Sequence, residues 1–342
     1  MSNPAKILVV GPSWVGDMVM AQSLFMSLKV SFPDCQIDVL APPWSLPLLE
    51  RMPEVLKGIP MSLKHGEFGL LARFRLGKPL RSERYDQAIV LPNSWKSALI
   101  PFFAGIPKRT GFIGECRWGL LNDARTLDKQ ALTMTVQRFV ALGLPVSSPQ
   151  PPAFTQPSLI TSTDGQRAVI EKFNISADGK ILALCPGAEF GPSKRWPAEH
   201  FAEVAKAKIE QGWQVWLLGS EKDKESAETI VQLTNNQCRN FVGQTTLIEA
   251  IDLMSLSNTV VANDSGLMHL AAALNKKVIA LYGSTPPEFA PPLCASATSV
   301  SLNLPCSPCR KRICPLYPVA HPEHTKCLTG IKPERIMELI GD

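Results

Sequence analysis

Short apolar runs alternate with longer amphipathic segments along most of this chain. Near the N-terminus, the apolar run Ile7–Val10 is closed by Gly11-Pro12, and a second run follows at Ile37–Ala41. Between them, Asp17–Phe32 carries apolar residues on most helical turns. Short apolar runs favour buried strands, and the intervening segment is typical of a helix. This order of strand, helix and strand predicts a parallel sheet.

The same pattern continues and then restarts after a break. A strand at Tyr85–Leu91 and a helix at Ser94–Ala104 are followed by the proline-rich stretch Leu144–Pro157, which we interpret as a linker. After it we predict four strands at Ile181–Cys185, Trp213–Leu218, Thr259–Ala262 and Lys277–Leu281, with helices at Pro197–Gln211, Glu221–Leu233 and Gly266–Leu274. The sequence therefore predicts two α/β domains, residues 1–157 and 158–342, with ligands at the carboxyl ends of their strands.

Composition narrows the class of protein. The 342 residues are 45% hydrophobic and 19% charged, which is enough apolar material for two buried cores. The net charge of +5 suits an anionic ligand or a membrane surface and does not demand nucleic acid. The N-terminus lacks the features of a signal peptide, and no apolar run is long enough to span a bilayer. We therefore expect a cytoplasmic protein that could contact a membrane peripherally.

The first candidate motif is the loop Gly11–Asp17, which follows a strand and opens a helix. Its glycines allow close backbone approach to a ligand. The loop is not the G-x-G-x-x-G fingerprint of dinucleotide-binding enzymes, which disfavours nicotinamide binding and a nucleotide-sugar epimerase. Asp17 could take a proton from a sugar hydroxyl, or it could only stabilise the helix dipole.

Two further loops lie after predicted strands in the second half. Pro186–Pro197 is long and contains glycine, and its Lys194 could stabilise the charge of a departing diphosphate. In Asn263–Leu270 a strand runs directly into a helix whose free N–H groups form an anion site. Asp264 could accept hydrogen bonds from sugar hydroxyls or cap the helix, and His269 lies one turn further on.

Cysteines cluster near the C-terminus. The pattern Cys306-x2-Cys309-x4-Cys314 is followed by Cys327, with His321 and His324 between. This set suits a structural tetrahedral zinc or an iron–sulfur centre, although the spacing departs from paired C-x-x-C motifs. The alternative is a proline-rich surface loop that carries reduced thiols, since the odd total of nine cysteines does not suggest a disulfide framework.

A basic stretch lies between residues 57 and 84. It contains Lys57, Lys64, Arg73, Arg75, Lys78, Arg81 and Arg84. These side chains could meet the phosphates and carboxylates of an acidic glycolipid, or they could form an ordinary solvated face. The sequence has no Asp-x-Asp motif, so a transferase of this sequence would hold its donor diphosphate through Lys194 and a helix N-terminus instead of clustered carboxylates and Mg²⁺.

Taken together, these segments resemble the bacterial lipopolysaccharide heptosyltransferases of glycosyltransferase family nine over nearly the whole chain. Three stretches carry the resemblance: ILVVGPSWVGDMVMAQSLF from Ile7, LPNSWKSALIPFFAGIPKRTGFIGECRWGLLND from Leu91, and VVANDSGLMHLAAAL from Val260. The match is closest to the members that add the second heptose.

The resemblance implies a GT-B fold, in which two Rossmann-like domains face a central cleft. It places the acceptor on residues 1–157 and ADP-heptose on residues 158–342. It also implies an inverting, metal-independent transfer of L-glycero-D-manno-heptose onto heptosyl-Kdo-lipid A, with no cofactor required. Two rivals stay open: a heptosyltransferase of another core step, and a non-catalytic metal-binding interaction protein built on the cysteine cluster.

Site residues follow from the resemblance position by position. Asp17 matches the general base, Lys194 the lysine near the donor diphosphate, and Glu221 an acidic residue near the adenosine ribose. The residues expected to bind the donor are Gly187, Lys194, Glu221, Asp264, Ser265, Gly266 and His269. The residues expected to bind the acceptor are Arg73, Arg75, Asn93 and Lys96.

Overall fold

The computed structural model describes residues 5–61, 63 and 68–342, so Lys64 of the basic stretch lies outside the described residues. The chain divides into two compact units, Met1–Pro157 and Ser158–Asp342, and the division falls at the end of the proline-rich stretch. Within the described ranges, no helix has the length and apolar character needed to cross a membrane.

The first unit is built on a parallel sheet. Its strands are β1 Lys6–Val10, β2 Gln36–Ala41, β3 Lys57–Pro60, β4 Gln87–Val90, β5 Lys108–Phe112 and β6 Asp123–Arg125. Its helices are α1 Val15–Ser31, α2 Leu46–Leu49, α3 Leu70–Leu80, α4 Leu99–Phe103 and α5 Thr135–Gly143, with 3-10 turns at Pro43–Ser45 and Trp95–Ala98. The strand order is β3-β2-β1-β4-β5-β6, and every pair is parallel.

The second unit repeats this plan. Its strands are β7 Ile181–Cys185, β8 Gln214–Leu217, β9 Arg239–Asn240, β10 Thr259–Asn263, β11 Lys277–Leu281 and β12 Ala297–Val300. Its helices are α6 Thr163–Phe173, α7 Ala198–Glu210, α8 Lys224–Leu233, α9 Leu247–Leu256, α10 Gly266–Ala273, α11 Lys326–Thr329 and α12 Pro333–Ile340, with 3-10 turns at Pro192–Lys194 and Glu221–Asp223. The strand order is β12-β11-β10-β7-β8-β9, again parallel throughout.

Burial explains why the central strands form where the apolar runs predicted them. Every residue of β7 and β10 is buried, as expected for strands covered by helices on both faces. On one side of the second sheet, Trp196, Phe201 and Trp213 pack with Ile336 and Ile340 of α12. The C-terminal helix therefore completes this core.

The predicted α/β class is confirmed, and the strand at Ile181–Cys185 has the predicted bounds. Two predicted helices are partly 3-10 in structure. Ser94–Ala104 is a 3-10 turn followed by α4, and Glu221–Leu233 is a 3-10 turn followed by α8. Pro197, expected at the first helical position, is instead the N-cap of α7, a difference of one residue.

Candidate active site

In both sheets, the motif loops follow the central strands and lie at the carboxyl ends of those strands. In the second unit, β7 and β10 lie side by side, and the connections that follow them lead to strands on opposite sides. Sheets of this order bind ligands at such a switch point, beyond the carboxyl ends of the strands. The loop that begins at Pro186 follows β7, and Asp264–Gly266 follows β10. The two motif loops of this unit therefore meet at its expected ligand site.

Lys194 and Asp264 form the polar centre of this site. The Lys194 Nζ atom lies 2.5 Å from Asp264 Oδ2, and both side chains are almost buried, with 13% and 10% of their surface exposed. The Thr285 hydroxyl donates to the same carboxylate oxygen. Asp264 is therefore not the cap of α10; it anchors Lys194 at the carboxyl edge of the sheet.

Asn263, at the end of β10, holds the loop after β7 through two side-chain hydrogen bonds. Its side-chain amide donates to the Pro186 carbonyl over 2.7 Å, and its side-chain oxygen accepts the Trp196 backbone N–H over 3.0 Å. All three residues are buried. Because Asn263 ends β10 and contacts both ends of the loop that carries Lys194, the position of that loop is fixed by the sheet itself.

The N-terminus of α10 offers groups without protein partners. Ser265 is the N-cap residue, but its hydroxyl makes no capping bond and is one of the buried side-chain atoms that lack a hydrogen-bond partner. Buried polar atoms are normally paired, so an orphan here is a place where a ligand would bind. Together with the free backbone N–H groups of the first turn, it forms a site for an anion.

His269 lies one turn into α10 and is buried. Burial lowers its pKa to about 4, an effect that Asp264 opposes and the positive charge of Lys194 assists. The imidazole is therefore neutral near pH 7 and cannot supply positive charge to a phosphate. His269 lies near the predicted donor segment, but its chemistry there is that of a neutral hydrogen-bonding group.

Gly187 makes room for a buried carboxylate. A Cβ atom at this position would lie 2.3 Å from the carboxyl group of Asp223. The Asp223 carboxylate accepts hydrogen bonds from the backbone N–H and hydroxyl of Ser220 and pairs with Arg195 over 3.6 Å. Gly187 thus allows the loop after β7 and the turn after β8 to pack closely, which is a structural reason for glycine here.

Glu221 lies in the 3-10 turn after β8, next to the loop after β7 in the sheet order. Its side chain is exposed and pairs with Lys224 over 2.5 Å. An exposed acidic group after the second strand of such a unit stands where ribose hydroxyls are bound in this class of fold. The structure therefore leaves the predicted contact between Glu221 and a ribose sterically open.

In the first unit, Asp17 lies in the first turn of α1, directly beyond the central strand β1. The helix is capped by Trp14 without a side-chain hydrogen bond. Gly11, at the end of β1, is closely packed, since a Cβ atom there would lie 2.7 Å from the Met18 side chain. The sequence motif thus places a half-buried carboxylate at the carboxyl edge of the first sheet.

The expected acceptor residues divide into two groups. Asn93 is exposed, Lys96 is half-buried, and Arg75 is exposed on α3. Arg73 differs from the expectation, because its side chain is only 3% exposed and donates to the backbone carbonyls of Phe68 and Lys96. Its guanidinium therefore attaches α3 to the Trp95–Ala98 turn and does not face solvent.

Arg117 is a structural residue that the charge pattern did not single out. Its guanidinium is buried and donates to the carbonyls of Pro92 and Phe112 and to the side chain of Asn93. Burial lowers its pKa to about 10, although Glu115 opposes the shift, so the group remains charged at neutral pH. Arg117 therefore fixes the loop after β4 that presents Asn93.

The four clustered cysteines line one cavity of about 290 Å³ in the second unit. Their thiols are free, and burial, followed by the nearby charges of Cys306, Cys309 and Cys314, raises the pKa of Cys327 to about 11. Within residues 5–61, 63 and 68–342, no three His, Cys, Asp or Glu side chains already converge as metal ligands do. The predicted metal centre is therefore not preformed, although its four candidate ligands are neighbours.

Several polar residues of the site were missed by the sequence analysis. Thr285, Asn263, Asp223 and Ser193 all lie at the carboxyl edge of the second sheet or in the loops above it. Thr285 and Asp223 lie outside the sequence motifs, whereas Ser193 and Asn263 lie within them but were given no role. Only Asn263 carried a usable signal, because it directly precedes the Asp264–Gly266 motif.

Known proteins resemble this chain over most of its length. The pattern of glycosyltransferase family 9 (heptosyltransferase) matches residues 73–320. Lipopolysaccharide heptosyltransferase 2 of Escherichia coli K12 is 46% identical, with 97% of both chains covered. The Salmonella typhimurium LT2 protein of the same name is 50% identical over 87% of this chain and 88% of its own. The solved structure of E. coli ADP-heptose LPS heptosyltransferase II superimposes with a TM-score of 0.84 at 44% identity, over 98% of this chain and 97% of that one.

Proposed function

This chain belongs to glycosyltransferase family 9, the heptosyltransferases, and from that membership we propose that it transfers heptose from ADP-heptose onto the inner core of lipopolysaccharide. The chain is a glycosyltransferase. The specific step we propose is the second heptose addition, onto heptosyl-Kdo-lipid A. The relatives at 46% and 50% identity, which carry the name heptosyltransferase 2, support this step over other core steps.

One geometric observation carries the donor side of the proposal. Lys194 is held by Asp264 at the switch point of the second sheet, beside the N-terminus of α10 and the unpartnered Ser265 hydroxyl. A cation, free backbone N–H groups and an unused hydroxyl together suit a diphosphate. We place the diphosphate of ADP-heptose here, with Gly187, Gly266 and His269 around it and Glu221 toward the ribose.

The proposed reaction is a single displacement at the anomeric carbon. The acceptor hydroxyl loses its proton to the Asp17 carboxylate while its oxygen bonds to the anomeric carbon. The bond from that carbon to the ADP phosphate oxygen breaks, and ADP leaves with the electron pair. Lys194 and the N-terminus of α10 stabilise the negative charge that develops on the diphosphate. Attack opposite to the leaving group inverts the configuration.

The acceptor side of the proposal rests on α3 and the loop after β4. Arg75, Asn93 and Lys96 would contact the anionic sugars and phosphates, and Arg73 and Arg117 would position them. On α3, Leu71 is 60% exposed and Phe74 is 39% exposed, beside the exposed Arg75 and Lys78. Exposed apolar side chains flanked by cations suit the surface of an anionic bilayer. We therefore propose peripheral contact of this face with the cytoplasmic side of the inner membrane.

The test is ADP release from ADP-heptose with two acceptors, Kdo-lipid A with and without one heptose attached. Release that depends on the heptosylated acceptor would support the proposed step. Release with the bare acceptor alone would keep the reaction and move it to the first addition. No release with either acceptor, from folded protein that still binds ADP, would refute the proposed transfer.

A further inference from the structure

The segment between β12 and α11 is long, irregular and poorly buried. Residues 301–325 contain neither helix nor strand, and Thr325 is the only one of them that is buried. Ile313, Leu316 and Val319 are each more than half exposed. Apolar burial therefore contributes little to holding this stretch, and a bound metal is one way to hold such a stretch.

Four thiols surround one space within this segment. Cys306, Cys309, Cys314 and Cys327 all line the cavity of about 290 Å³, and none of them is in a disulfide. Cys306, Cys309 and Cys314 lie in the irregular segment, and Cys327 lies near the start of α11. The fold has thus brought together four cysteines that are spread over 22 positions of sequence, from 306 to 327.

We propose that these four cysteines bind one thiophilic divalent ion, Zn²⁺ or Fe²⁺, which holds residues 301–325 in place. Four thiolates are the ligand set of tetrahedral structural zinc and of mononuclear iron. In the described part of the chain the side chains do not yet converge on one point, so binding requires the sulfurs to rotate from the cavity wall toward its centre. The site is structural and supplies nothing to the chemistry of transfer.

The cysteine segment also contacts the turn that carries Lys194 of the proposed donor site. The Ser193 backbone N–H donates to the Arg312 carbonyl over 3.2 Å, and the Ser193 hydroxyl donates to the Lys311 carbonyl. The Arg312 guanidinium lies 5.5 Å from the centre of the Phe190 ring, and Lys194 Nζ lies 4.9 Å from the same ring. The metal would therefore fix Arg312 as a second cation beside Lys194.

Gly191 shows how closely the two segments approach. Its φ of 152° lies in a region that favours glycine, and a Cβ atom would lie 2.7 Å from the Arg312 carbonyl oxygen. The turn that carries Lys194 and the cysteine segment are thus in backbone contact. Movement of residues 301–325 would necessarily disturb the surroundings of Lys194.

The experiment is metal analysis of the full chain, purified under reducing conditions. We expect about one Zn²⁺ or Fe²⁺ per chain. Replacement by Co²⁺ should give the intense absorption of tetrahedral Co²⁺–thiolate bonds. Cys314→Ser and Cys327→Ser should lose the ion, whereas the controls Cys116→Ser and Cys294→Ser, which lie outside the cavity lining, should keep it. Absence of stoichiometric metal together with absence of Co²⁺–thiolate absorption, or equal metal content in all four variants, would overturn the site.

A second measurement uses the wild-type chain and so does not depend on whether the variants fold. Removal of the metal by a chelator should accelerate tryptic cleavage at Arg310–Arg312 and weaken ADP binding by about tenfold, the lower end of the loss expected for one hydrogen bond to a charged group. Metal removal that leaves cleavage at these sites unchanged would contradict the structural role. Unchanged ADP affinity would contradict the placement of Arg312 near the donor. Only that placement rests on the proposed function; the metal stoichiometry is independent of it.

Discussion

Replacing Lys194 by methionine separates its two possible roles, a partner of Asp264 and a ligand of the donor diphosphate. Methionine keeps most of the side-chain volume and removes the charge. The carboxylate of Asp264 would then lose its ion-pair partner and keep only the hydrogen bond from Thr285. The variant should therefore be both less stable and less active, for different reasons.

The loss of stability can be estimated from the burial of the pair. Breaking a fully buried ion pair costs about 3–5 kcal/mol. Because Lys194 and Asp264 keep 13% and 10% exposure and the Thr285 hydroxyl remains, we expect about 2 kcal/mol for Lys194→Met. For a domain of this size, that loss lowers the melting temperature by about 4–8 °C. The double variant Lys194→Met/Asp264→Asn removes the unpaired charge and should recover most of this stability.

Activity should respond differently. Loss of a group that stabilises charge in the transition state costs about 10²–10³ in kcat/KM, and the double variant should not recover it. The assay is ADP release with ADP-heptose and heptosylated Kdo-lipid A, alongside thermal unfolding of each variant. The matched control is Lys222→Met, an exposed lysine of the neighbouring turn that pairs with Glu189. Recovery of activity together with stability in the double variant would refute a role for Lys194 at the diphosphate.

Three further predictions follow from other parts of the structure. Asp17→Asn should lower kcat by about 10²–10⁴ while calorimetry shows unchanged ADP affinity, and wild-type turnover would exclude Asp17 as the base. Burial lowers the pKa of His269 to about 4 from an ordinary 6.5, so the unfolded chain binds more protons in that window and stability should fall as the pH drops from 6.5 toward 4. His269→Gln should flatten this pH dependence of the melting temperature, and an unaltered profile would contradict the assignment. Leu71→Ser with Phe74→Ser should reduce co-sedimentation with anionic vesicles, whereas the control Val146→Ser, at an even more exposed apolar residue, should not; equal binding of the wild type and both variants would exclude α3 as the contact.

The sequence predicted the fold best where hydrophobic burial alone determines structure. The strand β7 is buried at every position, so its apolar run was readable without knowledge of the fold. The edge-side strand β5, KRTGF, begins with exposed or half-buried polar residues and was not predicted. The 3-10 turn Trp95–Ala98 was read as part of one helix, because i to i+3 and i to i+4 spacing are not distinguished over a single turn.

The site was predictable only as far as local motifs extend. Asp264 and Ser265 stand out because they lie where a buried strand ends and a helix begins, and Lys194 because it lies in the glycine-bearing loop between β7 and α7. Thr285 lies 21 positions beyond Asp264 and reaches the carboxylate only because β10 and β11 are paired. Arg73 and Arg75 look equivalent in the sequence, yet one is buried and bonded to carbonyls while the other is exposed. The charge pattern of the sequence does not show which arginine is buried. The packing of α3 against its neighbours determines it.

The two units share one strand order, so their folds alone do not distinguish their ligands. We therefore compare the charges of the side chains at the carboxyl ends of the central strands. Each has a helix N-terminus beyond one of its two central strands, that of α1 beyond β1 in the first unit and that of α10 beyond β10 in the second. In the first unit, Asp17 places a carboxylate in the first helical turn, which satisfies the helix dipole and repels a diphosphate. In the second, the carboxylate of Asp264 is already paired with Lys194 and hydrogen-bonded by Thr285, while the Ser265 hydroxyl is unused. The same fold therefore favours a proton acceptor in one unit and an anion in the other, which supports our proposal that the donor binds residues 158–342.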